Sequence, residues 1–251
     1  MHPSSRSAVR LYCFPHAGAT SLVYRPWITP GGPLLRVHGV DQPGRGTRIR
    51  EPKATDFDTL VAAMADHVAA DLVQARADDP DVRYATFGHS FGAMVSLAVG
   101  AAVARSTGQA PVRAVLSAAL PPALQQPDDT DSLTDEELLA KIAEDGGTAP
   151  ELLSSSAMSR YLVRLMREDY VVRRQFPQHK ALRVDHPLTL IAAREDAYVA
   201  PDHMWQWSEH TTGACRRVEI PGGHFAAIQN PKDVLAIVAE DVADRAGAGE
   251  R

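Results

Sequence analysis

Tyr84-Ala85-Thr86-Phe87-Gly88-His89-Ser90-Phe91-Gly92-Ala93-Met94-Val95-Ser96-Leu97-Ala98-Val99 is the stretch from which the fold can be read. A strand-like run closes at Gly88, a helical run of small residues opens after Gly92, and Ser90 stands between them in G-x-S-x-G spacing. A turn this sharp crowds the backbone on both sides, which is why glycine is needed at 88 and 92. The Ser90 hydroxyl is then held at the start of a helix, where developing negative charge is favoured. The alternative is a turn serine without chemistry. The strand-turn-helix setting favours the nucleophile.

Other strand-like runs flank this one. They fall at Val9–Phe14, Leu34–Val40, Val112–Ser117, Leu188–Ala193 and Cys215–Ile220, with Tyr84–Gly88 as the third in chain order. Phe57, Leu60, Val61, Met64, Val68, Leu72 and Val73 recur at helical spacing and predict an amphipathic helix packed on a sheet. Val234, Leu235, Ile237, Val238 and Val242 predict a C-terminal helix beginning near Asn230-Pro231. Strands alternating with helices imply an α/β fold, a mostly parallel sheet covered on both faces.

The alternation stops between Pro121 and Lys180. Asp128–Asp131 is polar and turn-like, and helical patches follow at Thr134–Glu144, around Glu151–Leu153 and at Ala157–Arg174. Thr134 and Glu137 have the spacing of a capping box. A helical insertion at about 121–180 within a single domain spanning 1–251 reads as a lid over the site; a helical decoration without a gating role is the other reading.

Composition narrows the functions. The chain has 251 residues, and 26 Lys and Arg against 31 Asp and Glu give a net charge of −5, which argues against a general nucleic-acid binder. Cys13 and Cys215 stand far apart without metal-ligand spacing and read as buried thiols; no metal and no cofactor is implied. The first residues lack the apolar core of a secretion signal, and no apolar run approaches a membrane span. A soluble, cytoplasmic protein is the expectation, without a membrane partner.

A nucleophilic serine needs a base, and the base needs an orienting acid. In strand-turn-helix hydrolases these follow in the order serine, acid, histidine, on loops after later strands. Asp196 follows the run Leu188–Ala193 and is the candidate acid; its neighbour Glu195 stays open at this stage. His224, in Pro221-Gly222-Gly223-His224-Phe225 after Cys215–Ile220, is the candidate base. His89, inside the turn, should point away from the site if Ser90 points into it. The oxyanion needs backbone N–H donors, one from the residue after the nucleophile, Phe91, and one from the loop after the first strand. In Phe14-Pro15-His16-Ala17-Gly18-Ala19-Thr20 that second donor is assigned to Ala17, and His16 either lines the substrate site or packs beside the loop.

With these residues placed, the chain resembles the type II thioesterases of polyketide and nonribosomal peptide assembly lines. The resemblance lies in Leu11-Tyr12-Cys13-Phe14-Pro15-His16-Ala17-Gly18, Val23-Tyr24-Arg25-Pro26-Trp27, Gln42-Pro43-Gly44-Arg45-Gly46-Thr47-Arg48, the turn at 88–92, Gly146-Gly147-Thr148 and Gly222-Gly223-His224-Phe225. It implies an α/β-hydrolase fold with a helical lid, and hydrolysis of acyl thioesters on the phosphopantetheine arm of acyl or peptidyl carrier proteins. The usual role of such enzymes is editing, the removal of stalled or mis-primed acyl groups. It carries Ser90, Asp196 and His224 as the triad and Ala17 and Phe91 as oxyanion donors. The same machinery serves a serine esterase or an acyl-CoA thioesterase acting on a free small molecule.

The chain departs from the family where His16 replaces a frequent tyrosine, Phe91 a frequent methionine, Ala19 a second glycine, and Ala118-Ala119-Leu120-Pro121-Pro122 a stretch that usually carries arginines. Phe91 and His16 are expected to narrow the acyl pocket. Carrier domains are typically acidic, so a basic face is expected despite the acidic total. Arg160, Arg164 and Arg167 have the spacing of one helical face and are the candidate carrier contacts, in a protein expected to be a monomer.

Overall fold

The computed structural model describes residues 8–126, 130–148 and 150–244. Six parallel strands form one sheet in the order β2-β1-β3-β4-β5-β6. They are β1 (Val9–Phe14), β2 (Leu35–Gly39), β3 (Tyr84–His89), β4 (Ala114–Ser117), β5 (Leu188–Ala193) and β6 (Cys215–Ile220). Alternation along each strand divides the core in two. Val9, Leu11 and Cys13 of β1 face one layer, with Ala85, Phe87, Ile191 and Ala193; Tyr12 and Phe14 face the other, with Tyr84, Leu188, Leu190 and Ala192.

Helices cover both layers. α1 (Phe57–Asp78) and α2 (Phe91–Thr107) pack together on one face, and α8 (Pro231–Asp244) lies on the other. The short α6 (Pro201–Trp205) follows β5, and α7 (Ala226–Gln229) precedes α8. The expected apolar stripe of α1 is buried from Phe57 to Leu72, but Val73 is 63% exposed. One position past Leu72 turns its side chain off the stripe. β2 begins at Leu35 because Leu34 lies exposed in the preceding turn, and Cys215 is half-buried on the edge strand, unlike fully buried Cys13.

Between β4 and β5 lie α3 (Asp135–Asp145), α4 (Pro150–Leu153) and α5 (Ser156–Arg173), with no strand among the described residues. The capping box at Thr134 and Glu137 is formed in both directions. Asp128 and Asp129 of the expected turn lie outside the described residues.

Parallel strands end at one edge of the sheet. Whatever follows β1, β3, β4, β5 and β6 therefore meets there, and the chain reverses its lateral direction between β1 and β3. Ligands bind at such switch points in open α/β sheets.

Candidate active site

Ser90 joins β3 to α2 with φ 53° and ψ −119°, far from ordinary backbone wells. Such a conformation costs about 1–3 kcal/mol and persists only where its surroundings impose it. Here they do. A Cβ on Gly88 would stand 2.5 Å from Ser96 Oγ and closer to Gly92 O, and one on Gly92 would stand 2.5 Å from Pro15 O and closer to Phe14 O. The two glycines let α2 press against both β3 and the loop after β1. Ser90 N donates to Ser117 O at 2.9 Å, which pins the turn to β4. Among the described residues Ser90 Oγ makes no hydrogen bond, and the side chain lines a cavity of about 210 Å³.

His224 lines the same cavity, and its Nδ1 lies 2.9 Å from Asp196 Oδ2. The Asp196 side chain is fully buried, and its Oδ1 accepts the backbone N–H groups of Tyr198 at 2.8 Å and Val199 at 3.1 Å. A carboxylate so held fixes the histidine ring, with Nδ1 toward the acid and Nε2 free. Glu195, the neighbour left open by the sequence, has another task. Its backbone N–H donates to Gly222 O at 3.1 Å, and its carboxylate accepts the Gly222 N–H. Glu195 therefore laces the acid loop to the base loop.

The loop after β1 brings Ala17 to the cavity that Phe91 also lines. Among the described residues neither N–H is taken by another group: Phe91 is the first residue of α2, where helix amides have no internal acceptor, and the bonds of the loop run from Gly18 and Ala19 instead. The Phe91 ring lies 5.4 Å from that of Phe176 between centroids, and both residues line the cavity.

His16 both lines the cavity and packs. It meets Phe225 edge-on at 4.9 Å and His89 at 6.0 Å. His89 is fully buried, but it does not lie remote from the site: its ring is 5.3 Å from that of His224, backing the base from beneath. Burial and then the nearby His224 push His16 down to about 3, and burial holds His89 well below the ordinary histidine value. Both rings are neutral partners. Phe225 completes the cluster, and its own seat is Gly147: a Cβ there would fall 2.8 Å from Phe225 Cε2. Gly147 is thus explained by the ring beside the base, and Gly146 by its φ of 72° as the left-handed cap that ends α3.

A buried carboxylate escaped the sequence reading. Asp169 of α5 is 1% exposed, and its Oδ2 accepts the Gly18 N–H at 2.7 Å and Arg45 Nη1 at 2.8 Å. Its Oδ1 accepts Arg45 Nη2 at 2.7 Å and Gln42 Nε2 at 3.0 Å. The insertion, the loop after β1 and the Gln42–Arg48 segment meet on this one side chain. Its sequence signal was an acid within the apolar stripe Val163, Met166, Val172, where only a paired carboxylate can sit.

The arginines of α5 do not share one free face. Arg160 and Arg164 are exposed, Arg164 beside Glu168 at 3.8 Å. Arg167, expected with them, instead binds Asp135 Oδ1 at 2.7 Å, Thr130 O at 3.0 Å and Leu133 O at 2.8 Å, which ties α5 to the start of α3.

A family model described as a thioesterase domain matches residues 9–243. The chain belongs to the thioesterase family. The chain is 28% identical over 240 residues to the probable cadicidin biosynthesis thioesterase of Streptomyces griseus, covering 95% of this chain but 64% of that protein, less than two thirds of its length. Among solved structures, it is similar to RedJ, a thioesterase from the prodiginine biosynthetic pathway in Streptomyces coelicolor, with TM-score 0.77, 29% identity and 94% and 91% of the two chains covered. It is also similar to BorB, a type II thioesterase from the borrelidin biosynthetic cluster, with TM-score 0.78, 28% identity and coverage of 96% and 95%. The chain has the α/β-hydrolase fold anticipated from the turn at Ser90, and no helix among the described residues is long and apolar enough to cross a membrane.

Proposed function

We propose that this protein is a type II thioesterase that hydrolyses acyl groups from the phosphopantetheine arm of carrier proteins, clearing stalled or mis-primed chains from polyketide or nonribosomal peptide assembly lines. The observation that carries the reading is the Asp196–His224 hydrogen bond of 2.9 Å in the cavity that Ser90 enters. Similarity to RedJ and BorB supports the pathway class.

In this reading His224 Nε2 takes the Ser90 proton as Oγ attacks the thioester carbonyl. The tetrahedral oxyanion receives the Ala17 and Phe91 N–H groups. Asp196 holds the tautomer and stabilises the imidazolium. Collapse breaks the C–S bond; the pantetheine sulfur leaves with the proton from His224, and the acyl group stays on Ser90. Water then enters, gives a proton to His224 and attacks the ester, and the returning proton frees Ser90 as the carboxylic acid departs. Apo sites often hold these contacts longer than the reacting complex does, which suits the unbonded Ser90 hydroxyl.

The test is hydrolysis of one acyl group presented on a carrier protein and on bare pantetheine, by the wild type and by Ser90→Ala. The expected result is faster release from the carrier, a gap that narrows at high salt, and a loss of roughly 10⁴-fold or more in kcat for Ser90→Ala. Equal rates on the two substrates would remove the carrier reading. Turnover that survives in Ser90→Ala would remove the serine mechanism.

A further inference from the structure

The cavity that holds Ser90 contains more charge than the proposed chemistry uses. Lys141 and Asp145 of α3 lie 3.5 Å apart and neutralise one another, with the Tyr198 hydroxyl bridging them: Lys141 Nζ donates to it at 3.1 Å, and it donates to Asp145. Asp196 is paired with His224. Arg173, at the end of α5, is different. Its Nε donates to the neutral Gln125 amide oxygen at 3.3 Å, and its guanidinium carbon lies 5.1 Å from the Tyr170 ring centroid. Among the described residues, no carboxylate pairs with it and its two terminal nitrogens make no hydrogen bond.

Gln125 is itself held by the hydrogen bond from its Nε2 to Leu120 O at 2.7 Å, so its oxygen steers the guanidinium rather than moving with it. Met94, Ile142, Leu162, Met166 and Phe176 give the wall an apolar part. An alkyl chain filling this space would strip water from a cation and return no acceptor. An anionic oxygen group would be received by the planar fork of donors that arginine presents.

We propose that Arg173 is an anion-recognition site within the acyl cavity. It selects thioesters that carry a negatively charged oxygen group, either a carboxylate at the end of the acyl chain or the phosphate of the pantetheine arm. The assignment rests on reading the cavity as a thioester site.

The test compares glutaryl with its neutral isostere 5-methylhexanoyl, each on pantetheine and on phosphopantetheine, with wild type, Arg173→Gln and Arg173→Lys. If the site takes the acyl carboxylate, Arg173→Gln lowers kcat/KM for glutaryl roughly tenfold more than for the isostere. If it takes the phosphate, the variant erases the preference for phosphopantetheine by a similar factor for both acyl groups. Lysine, which keeps the charge without the fork, should restore part of either preference. Equal effects of Arg173→Gln on all substrates would overturn the proposal.

Calorimetric binding of the same compounds to Ser90→Ala, with and without Arg173→Gln, reads the anion site without turnover. An Arg173-dependent preference there, in a protein whose wild type releases none of these acyl groups, would uphold the anion site while removing the thioesterase reading. Binding indifferent to Arg173 would overturn the anion site whatever the rates.

Discussion

Asp169 Oδ2 receives the Gly18 N–H at 2.7 Å, so a helix of the insertion holds the loop that presents the Ala17 amide. The same carboxylate is forked by Arg45 with neither partner exposed beyond 4%. Asp169→Asn leaves Arg45 buried without its counter-charge and should cost about 3–5 kcal/mol in stability. The double change Arg45→Met/Asp169→Leu exchanges the pair for apolar side chains and should regain much of that stability. It leaves Gly18 unheld, so kcat should stay low while KM moves less. Urea unfolding and steady-state kinetics on the single and double variants check this; a double variant with wild-type kcat would deny Asp169 its positioning role.

Gly147 and Phe225 should be coupled. Gly147→Ala pushes a methyl into the Phe225 ring and, through it, on the neighbouring His224. The expected cost is about 1–3 kcal/mol, with a lower kcat. Phe225→Leu removes the obstructing ring edge, so Gly147→Ala should be milder in that background. A double-mutant cycle measures the coupling, and additivity within about 0.5 kcal/mol would contradict it.

Stability should fall on mild acidification. His16 and His89 stay neutral in the folded protein, His16 down to about 3, whereas the unfolded chain protonates histidine below about 6.5. From about pH 6.5 down toward 3 the unfolded state therefore binds more protons, and stability is lost as pH drops. Each ring contributes a slope of up to about 1.4 kcal/mol per pH unit. His16→Phe keeps an aromatic ring against Phe225 and removes one titrating group. Its unfolding free energy between pH 7 and 5 should depend on pH less steeply, by about one proton; an unaltered slope would contradict the buried neutral state.

Arg160 is exposed at the first turns of α5. If carriers approach there, Arg160→Glu should slow association with an acylated carrier by roughly 3–10-fold at low salt, an effect that salt removes. Its rate on a small pantetheine thioester should change far less. Stopped-flow binding separates the two, and a parallel fall on both substrates would place Arg160 outside any docking face.

The strands were legible because most are short runs rich in branched or aromatic residues between Gly, Pro or Asp, and Leu188–Ala193 and Cys215–Ile220 fall on their predicted limits, although the second is an edge strand with three charged residues. Ser90, Asp196 and His224 were legible because parallel strands deliver their C-terminal loops to one edge, so chain order predicts proximity. Asp169 was not legible, since its partners Gly18, Gln42 and Arg45 lie more than a hundred residues away and each looks polar and exposable by itself. Arg167 illustrates the opposite error: helical spacing places it beside Arg160 and Arg164, but spacing is blind to carbonyl groups arriving from Thr130 and Leu133. Glu195 and Asp196 could be told apart only once Gly222 was seen beside the first and His224 beside the second.

The ion pair that α5 shares with Arg45 bears on how an acyl chain gets in. Swinging α5 outward would carry Asp169 away, leave the Arg45 guanidinium in the interior without its counter-charge and disconnect Gly18 in the same stroke. α3 is joined to α5 in its turn, by the Arg167–Asp135 pair and by Leu138 and Ile142 packed on Val163. Any movement that carried α5 away would therefore also displace the loop that presents the Ala17 amide. That amide keeps its place only as long as α5 keeps its own.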